Sequence, residues 1–136
     1  MIELTVLGCS GSYGAPAGGA CSGYLVRAGG ETIWLDCGNG TLPALQRHAD
    51  PADLTAVVIT HQHPDHCADL YGLHVLNRYG LERFHLPVFA AHPRIAERAR
   101  ERGLRAVETA GGDAGLLAGV LEWFTRSSRS AAARSA

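Results

Sequence analysis

The alternation of apolar and polar positions predicts a group of strands in the first part of the chain. In the rest of the chain it predicts helices and strands that follow one another. Residues 2–7 alternate and then become continuously apolar, which is typical of a strand buried towards one end. Residues 24–26 and 32–35 form two more apolar runs, and Ala28-Gly29-Gly30-Glu31 between them favours a tight hairpin. The first part of the chain is therefore predicted to be an antiparallel β meander.

Helical and extended patterns alternate in the rest of the chain. Residues 42–48 predict a short helix with Pro43 in its first turn, and residues 54–60 predict a buried strand. Leucines recur at helical spacing within residues 67–79, and Gly80 is expected to end that helix. The remaining predicted elements are a strand at 86–91, a helix at 93–102 and a strand at 105–109. This succession predicts an α/β (α+β) fold.

The C-terminal residues lack the apolar pattern of a packed element. Phe124 is the last large apolar residue, and residues 125–136 are almost entirely Arg, Ser and Ala. Because such a segment buries little apolar surface, we expect residues 125–136 to be disordered. The 136 residues, 46% of them apolar, suffice for one domain with a core, and we assign that domain to residues 1–124.

Charge and cysteine content narrow the functional classes. The formal net charge is −1, so no overall field favours nucleic acid or membrane surfaces. No apolar stretch approaches the ~20 residues of a membrane span, and no basic segment precedes the first strand, so we expect a cytoplasmic protein. None of the four cysteines forms a Cys-x-x-Cys pair, which argues against a closed structural zinc site. Cys9 or Cys67 could ligate a metal, although packing roles are favoured.

The densest chemistry lies in residues 61–66, His-Gln-His-Pro-Asp-His, directly after the predicted buried strand. On extended backbone, His61 and His63 can reach one cation, while Asp65 and His66 offer an oxygen and a nitrogen to a neighbouring one. Pro64 biases the residue before it towards extended geometry. The alternative is a polar surface turn that contains three histidines. We favour a metal site, and metal-assisted hydrolysis as its chemistry.

The same motif resembles the signature of the metallo-β-lactamase-fold hydrolases. Residues 6–12 and 35–41 resemble the first glycine loop and the Asp-Cys-Gly turn of the ribonuclease Z-like branch. Residues 20–26, 44–48 and 65–70 resemble actinobacterial members regarded as cyclic-nucleotide phosphodiesterases or as uncharacterised hydrolases. The resemblance covers roughly residues 2–100. It implies the N-terminal half of an αββα sandwich, with a mixed, mainly antiparallel sheet and flanking helices.

The resemblance also implies roles for individual residues. His61 and His63 would bind a first Zn²⁺, and Asp65 and His66 a second, with Mn²⁺ as an alternative cation. Asp65 would also orient the attacking water and is the candidate catalytic residue. Asp36 would contact a ligand imidazole rather than the metal and would hold that imidazole in the correct tautomer. The alternative role of Asp36 is to form the turn after a strand.

Family members carry further ligands downstream: a His, an Asp that bridges the two metals, and a late His. The three later candidates, His74, His85 and His92, lie in a helix, before a strand and at a helix start, which is the wrong context. Each cation would thus keep two protein ligands, and the inner face of the sheet would be exposed. A truncated gene product or a shifted reading frame would explain both the missing ligands and the Arg, Ser and Ala composition of residues 125–136.

Three hypotheses follow. The first is a phosphodiesterase that acts on a cyclic nucleotide or an RNA end by dinuclear activation of water. A small nucleotide is favoured over RNA, because basic residues do not interleave with aromatic residues along the sequence. The second is a truncated, inactive fragment that binds metal weakly. The third is a half-domain that forms a homodimer by stacking two copies of its sheet.

Overall fold

The backbone forms one six-stranded sheet in which the strand order follows the chain order. The computed structural model describes residues 1–80 and 85–134, with side-chain surroundings as far as residue 126. The strands are β1 (Ile2–Gly8), β2 (Gly23–Ala28), β3 (Glu31–Cys37), β4 (Ala56–Ile59), β5 (Pro87–Ala90) and β6 (Arg105–Glu108). The helices are α1 (Thr41–Leu45), α2 (Pro64–Cys67), α3 (Leu70–Tyr79), α4 (Pro93–Glu101) and α5 (Gly112–Arg134), and Pro51–Asp53 form a 3₁₀ turn.

The sheet is mixed, and its two halves differ in strand direction. Strands β1, β2 and β3 pair antiparallel, as the hairpin pattern predicted. Strands β3, β4, β5 and β6 pair parallel, so parallel pairs outnumber the antiparallel pairs that were expected to dominate. The reason is that helical segments separate β4, β5 and β6 from the strands before them, and such crossovers return the chain in the same direction. The predicted mixed α/β class with flanking helices is confirmed.

One face of the sheet carries the larger core. Trp34, Val57 and Val88 lie opposite one another on β3, β4 and β5, and all three are fully buried. Helix residues from α1, α3 and α4 pack onto the same cluster, among them Leu45, Leu73 and Ile95. This packing fixes the strand ends from which the histidine segment emerges.

The opposite face is covered by α5, a helix that the sequence pattern did not predict. Leu116 on α5 is buried in one cluster with Ala56, Val58 and Phe89. The ring centroid of Trp123 lies 5.7 Å from that of Phe89 in an edge-to-face arrangement, and the Arg105 guanidinium lies 4.3 Å from the centroid of the Trp123 ring. Because the cluster that α5 joins spans β3 to β6, the expected exposure of this face is limited to the β1 side. There Ile2, Leu4 and Val6 remain exposed.

The predicted disordered segment also differs from the structure. Helix α5 continues through Arg134, so residues 125–134 are helical. Ala and Arg have high helix propensity, and a helix already docked at its N-terminal half needs no new nucleus to extend. Residues 135 and 136 lie outside the described residues, and the domain boundary at residue 124 stays a prediction. In the described part of the chain, no helix combines the length and apolar character needed to cross a bilayer.

Replacing Leu116 by Ala tests whether α5 is docked on the sheet. Leu116 is 6% exposed and its neighbour Leu117 is 60% exposed, so the pair differs in burial but not in chemistry. We expect Leu116→Ala to lower the free energy of unfolding by roughly 2–5 kcal/mol, and Leu117→Ala to change it by no more than about 0.5 kcal/mol. Urea denaturation of both variants measures the difference, and equal effects would contradict the docked position of α5.

Candidate metal centre

The histidine segment begins where β4 ends, beside the end of β3. Leu35 and Val58 are register partners in the parallel β3–β4 pair, so the residues that follow them leave the sheet at the same edge. This brings Asp36, near the end of β3, next to Thr60, which follows β4. Beyond Thr60, His63 is extended (φ −67°, ψ 142°) and Pro64 starts α2, in agreement with the expected effect of the proline.

Asp36 is the buried polar centre of this edge. It is 3% exposed and has a left-handed backbone conformation (φ 55°), which Asp tolerates better than most residues. Its Oδ1 accepts hydrogen bonds from the backbone N–H and the hydroxyl of Thr60, both at 2.9 Å. Its Oδ2 lies 2.7 Å from Nδ1 of His66. The carboxylate therefore joins β3, β4 and α2.

The same contacts determine which ring nitrogens are free. Because the Asp36 carboxylate accepts a hydrogen bond from Nδ1 of His66, that nitrogen carries the proton. Nδ1 of His61 lies 3.0 Å from the hydroxyl oxygen of Thr60, whose own hydrogen is directed at Asp36. The Thr60 oxygen must then accept a hydrogen bond from the Nδ1–H of His61. In both rings Nε2 is therefore the nitrogen that neither Asp36 nor Thr60 contacts, and it is left for a metal.

The four predicted metal-binding residues lie together at this edge. The ring centroid of His61 is 3.8 Å from that of His66 and 4.8 Å from that of His63. Nε2 of His66 lies 3.4 Å from Oδ2 of Asp65. These nitrogen and oxygen donors fit zinc, which proteins hold with three or four ligands. Across residues 1–80 and 85–134, however, no three His, Cys, Asp or Glu side chains are grouped so as to hold an ion by themselves.

Cys67 braces the segment as a neutral thiol. Its Sγ donates to the carbonyl oxygen of His63 at 3.3 Å. Burial raises the pKa of the Cys67 thiol, and the negative charges of Asp36 and Asp65 raise it further. The hydrogen bond places the thiol against the backbone of the histidine segment. Cys9, the other cysteine considered, is exposed.

The later histidines make contacts elsewhere. Nδ1 of His92 accepts from the backbone N–H of Arg94, so His92 is the N-cap of α4, as its position before Pro93 predicted. Nδ1 of His74 lies 2.5 Å from the carbonyl oxygen of Arg102. Neither contact involves the histidine segment.

Sequence reasoning missed two residues that shape the site. One is Thr60, which links Asp36 to His61. The other is Gly38, where a Cβ would lie 2.0 Å from the carbonyl oxygen of Asp65 and 2.7 Å from that of Ser22. The glycine lies in the Asp-Cys-Gly turn, but nothing in the sequence shows that this turn passes beside Asp65. Only a residue without a side chain allows this approach.

Gly38→Ala tests that contact. The added methyl group has no space, so α2 or the turn must move, and we expect the free energy of unfolding to fall by at least about 1 kcal/mol. Gly111→Ala is the matched control, because a Cβ there meets nothing within 4 Å. Thermal unfolding of both variants measures the effect. An unchanged Gly38→Ala variant would contradict the close packing of the turn on Asp65.

Comparison with known proteins extends this picture. A family model described as the metallo-beta-lactamase superfamily matches residues 16–126. An uncharacterised protein of Mycobacterium tuberculosis is 53% identical over 79 residues, which cover 57% of this chain and 28% of that protein. A ribonuclease Z of Mycolicibacterium gilvum is 45% identical over 71 residues, which cover 52% of this chain and 24% of the relative.

A solved structure gives the same relationship at the level of the fold. The metallo-beta-lactamase fold protein YhfI of Bacillus subtilis superimposes with a TM-score of 0.68 at 28% identity. The match covers 79% of this chain and 44% of YhfI, so the chain spans less than half the length of these relatives. The histidine segment, the sheet that carries it and the family model together show that the chain belongs to the metallo-beta-lactamase superfamily.

Proposed function

We propose that this chain provides the metal-binding half of a phosphodiesterase. The observation that carries the proposal is the Asp36 network, which leaves Nε2 of His61 and of His66 available as ligands beside His63 and Asp65. Buried carboxylates that fix imidazole tautomers are the usual support of histidine metal sites. A polar surface turn has no need of a buried carboxylate behind it.

In this proposal His61 and His63 hold one cation, and Asp65 and His66 hold the other. When bound, two Zn²⁺ or Mn²⁺ ions would lower the pKa of a water towards ~7 and stabilise the charge that develops on a phosphate. Asp36 keeps the proton of His66 on Nδ1 by accepting its hydrogen bond directly. It keeps the proton of His61 on Nδ1 indirectly, through the Thr60 hydroxyl. Asp65, 3.4 Å from His66, would receive a hydrogen bond from the attacking water and orient it.

The proposed substrate is a phosphodiester, either a nucleotide or an RNA end. A ribonuclease Z among the relatives supports this substrate class, and the likeness to YhfI supports hydrolysis more generally. A substrate reaches the donors readily, because His61 and His63 are exposed at the sheet edge.

A second candidate is a chain of the same fold that binds metal weakly and does not hydrolyse substrate by itself. The observation in its favour is that the described residues contain no group of three donors arranged for an ion. Two protein ligands per cation give low affinity.

Mass spectrometry of the zinc-loaded protein under native conditions separates the candidates. About two ions per chain favour the phosphodiesterase, and none favours the second candidate.

His63→Ala tests the phosphodiesterase directly. The protein is loaded with Zn²⁺ or Mn²⁺ and assayed on a cyclic nucleotide and on a short RNA. We expect the substitution to reduce turnover at least about 100-fold, because losing a ligand should cost no less than losing a residue that orients one. His48→Ala, at an exposed position, is the control and should keep full activity. Equal turnover in the wild type and in His63→Ala would show that His63 is not part of the site.

Asp36→Asn tests the orienting role separately from the chemistry. The amide cannot accept from both partners as the carboxylate does, so we expect zinc affinity to fall 10–100-fold. Thr60→Val should weaken affinity in the same direction, while Thr60→Ser restores it, because the serine hydroxyl can bridge Asp36 and His61. Competition with a chromophoric chelator measures affinity without turnover. Asp53→Asn, at an exposed position, is the control. Unaltered affinity in Asp36→Asn would show that the carboxylate only supports the fold.

A further inference from the structure

A groove runs along the surface between α3 and α4 and begins at the histidine segment. Its volume is about 360 Å³, within the usual range of small-molecule sites. Leu70 and Tyr71 of α3 and Ile95 of α4 form apolar walls. Gln62 and Cys67 form the end that adjoins the proposed metal centre.

The groove adjoins the histidine segment through residues of that segment and its neighbour. Gln62 lies between His61 and His63 in the sequence and lines the groove, and the ring centroids of those two histidines are 4.8 Å apart. Cys67 lines the same end, and its Sγ donates to the carbonyl oxygen of His63 at 3.3 Å. A ligand in the groove would thus lie next to the groups that would hold the cations.

Three arginines line the groove along α4. Arg94, Arg98 and Arg102 are four residues apart, so they share one side of the helix at steps of roughly 6 Å. The guanidinium of Arg102 lies 4.9 Å from the ring centroid of Tyr71. Arg98 contacts Glu101 at 2.8 Å, but both side chains are largely exposed, and such pairs contribute little. Positive charge therefore accumulates beside an aromatic and aliphatic wall.

This combination suits a nucleotide and its phosphate. Guanidinium groups bind phosphate through paired hydrogen bonds, and flat bases stack on aromatic rings and on guanidinium planes. A cyclic mononucleotide has a single phosphate, which the cations would bind, so it would leave the arginines without an anion. A substrate with a second phosphate next to the scissile one would occupy both sites.

We propose that the α3–α4 groove binds a second phosphate of the substrate, so that the preferred substrate is a dinucleotide with a phosphate beyond the scissile bond. This inference rests on the proposed phosphodiesterase function, because that function puts the scissile phosphate at the histidine segment. The arginines bind and position substrate, and they take no part in bond cleavage.

The test measures binding to the full 136-residue chain in the presence of a chelator, so that neither metal nor turnover is required. The probes are the dinucleotide ApA and its 5′-phosphorylated form pApA, which differ by one phosphate. We expect pApA to bind at least about tenfold more tightly than ApA, the size of one charge-assisted hydrogen bond, and the difference to shrink as salt is added. Equal affinities would overturn the proposal.

Matched arginine variants locate the binding. In Arg94→Ala/Arg98→Ala, ApA and pApA should bind equally, whereas Arg100→Ala should keep the preference for pApA. Arg100 lies on the same helix but faces Glu108 of β6 at 3.9 Å, outside the groove. All three positions are exposed, and circular dichroism checks that the variants are folded. A preference that survives in the double variant, or is lost in Arg100→Ala, would contradict a phosphate site in this groove. If the protein binds pApA through these arginines but hydrolyses no phosphodiester when loaded with zinc, the proposed phosphodiesterase function is wrong. The phosphate site in the groove would still be supported by that result.

Discussion

The burial of the Asp36 carboxylate is the constraint on which the site depends. An ionised group removed from water must be compensated by hydrogen bonds, and here Thr60 and His66 donate them. These partners belong to the segment that carries the predicted metal ligands. The same interaction therefore stabilises the buried charge, ties the ends of β3 and β4 together and prepares two imidazoles for a cation. Asp36 makes these contacts from a left-handed backbone conformation.

The two faces of the sheet are completed to different degrees. Three helices finish one face, whereas the cluster that includes α5 on the other face spans β3 to β6 and does not reach β1. The exposed apolar residues Ile2, Leu4 and Val6 lie on the part of β1 that α5 does not reach. The matched regions of the M. tuberculosis protein and of YhfI make up less than half of those chains.

The histidine segment adjoins two kinds of chemistry. It presents imidazoles and a carboxylate, which suit divalent cations, and it borders an arginine-lined groove, which suits phosphate. Both depend on the short stretch between β4 and α2. The lack of aromatic and basic interleaving along the sequence argued against nucleic acid, yet the fold brings Tyr71 of α3 against Arg102 after α4. Residues far apart in sequence thus form a surface that the linear pattern does not contain.

The sequence by itself determined the strands, the class of the fold and the cluster of candidate ligands. All six strands lie within two residues of their predicted limits, because apolar alternation records which side of each element is buried. That pattern does not record which element covers the buried side. The docking of α5 on Phe89, the bridge through Thr60 and the close approach of Gly38 to Asp65 were therefore decided only by the tertiary structure. The tertiary structure also decides how many donor side chains converge on one point. The spacing of ligands along the chain limits which side chains can approach one another, but the packing of the elements determines which of them do.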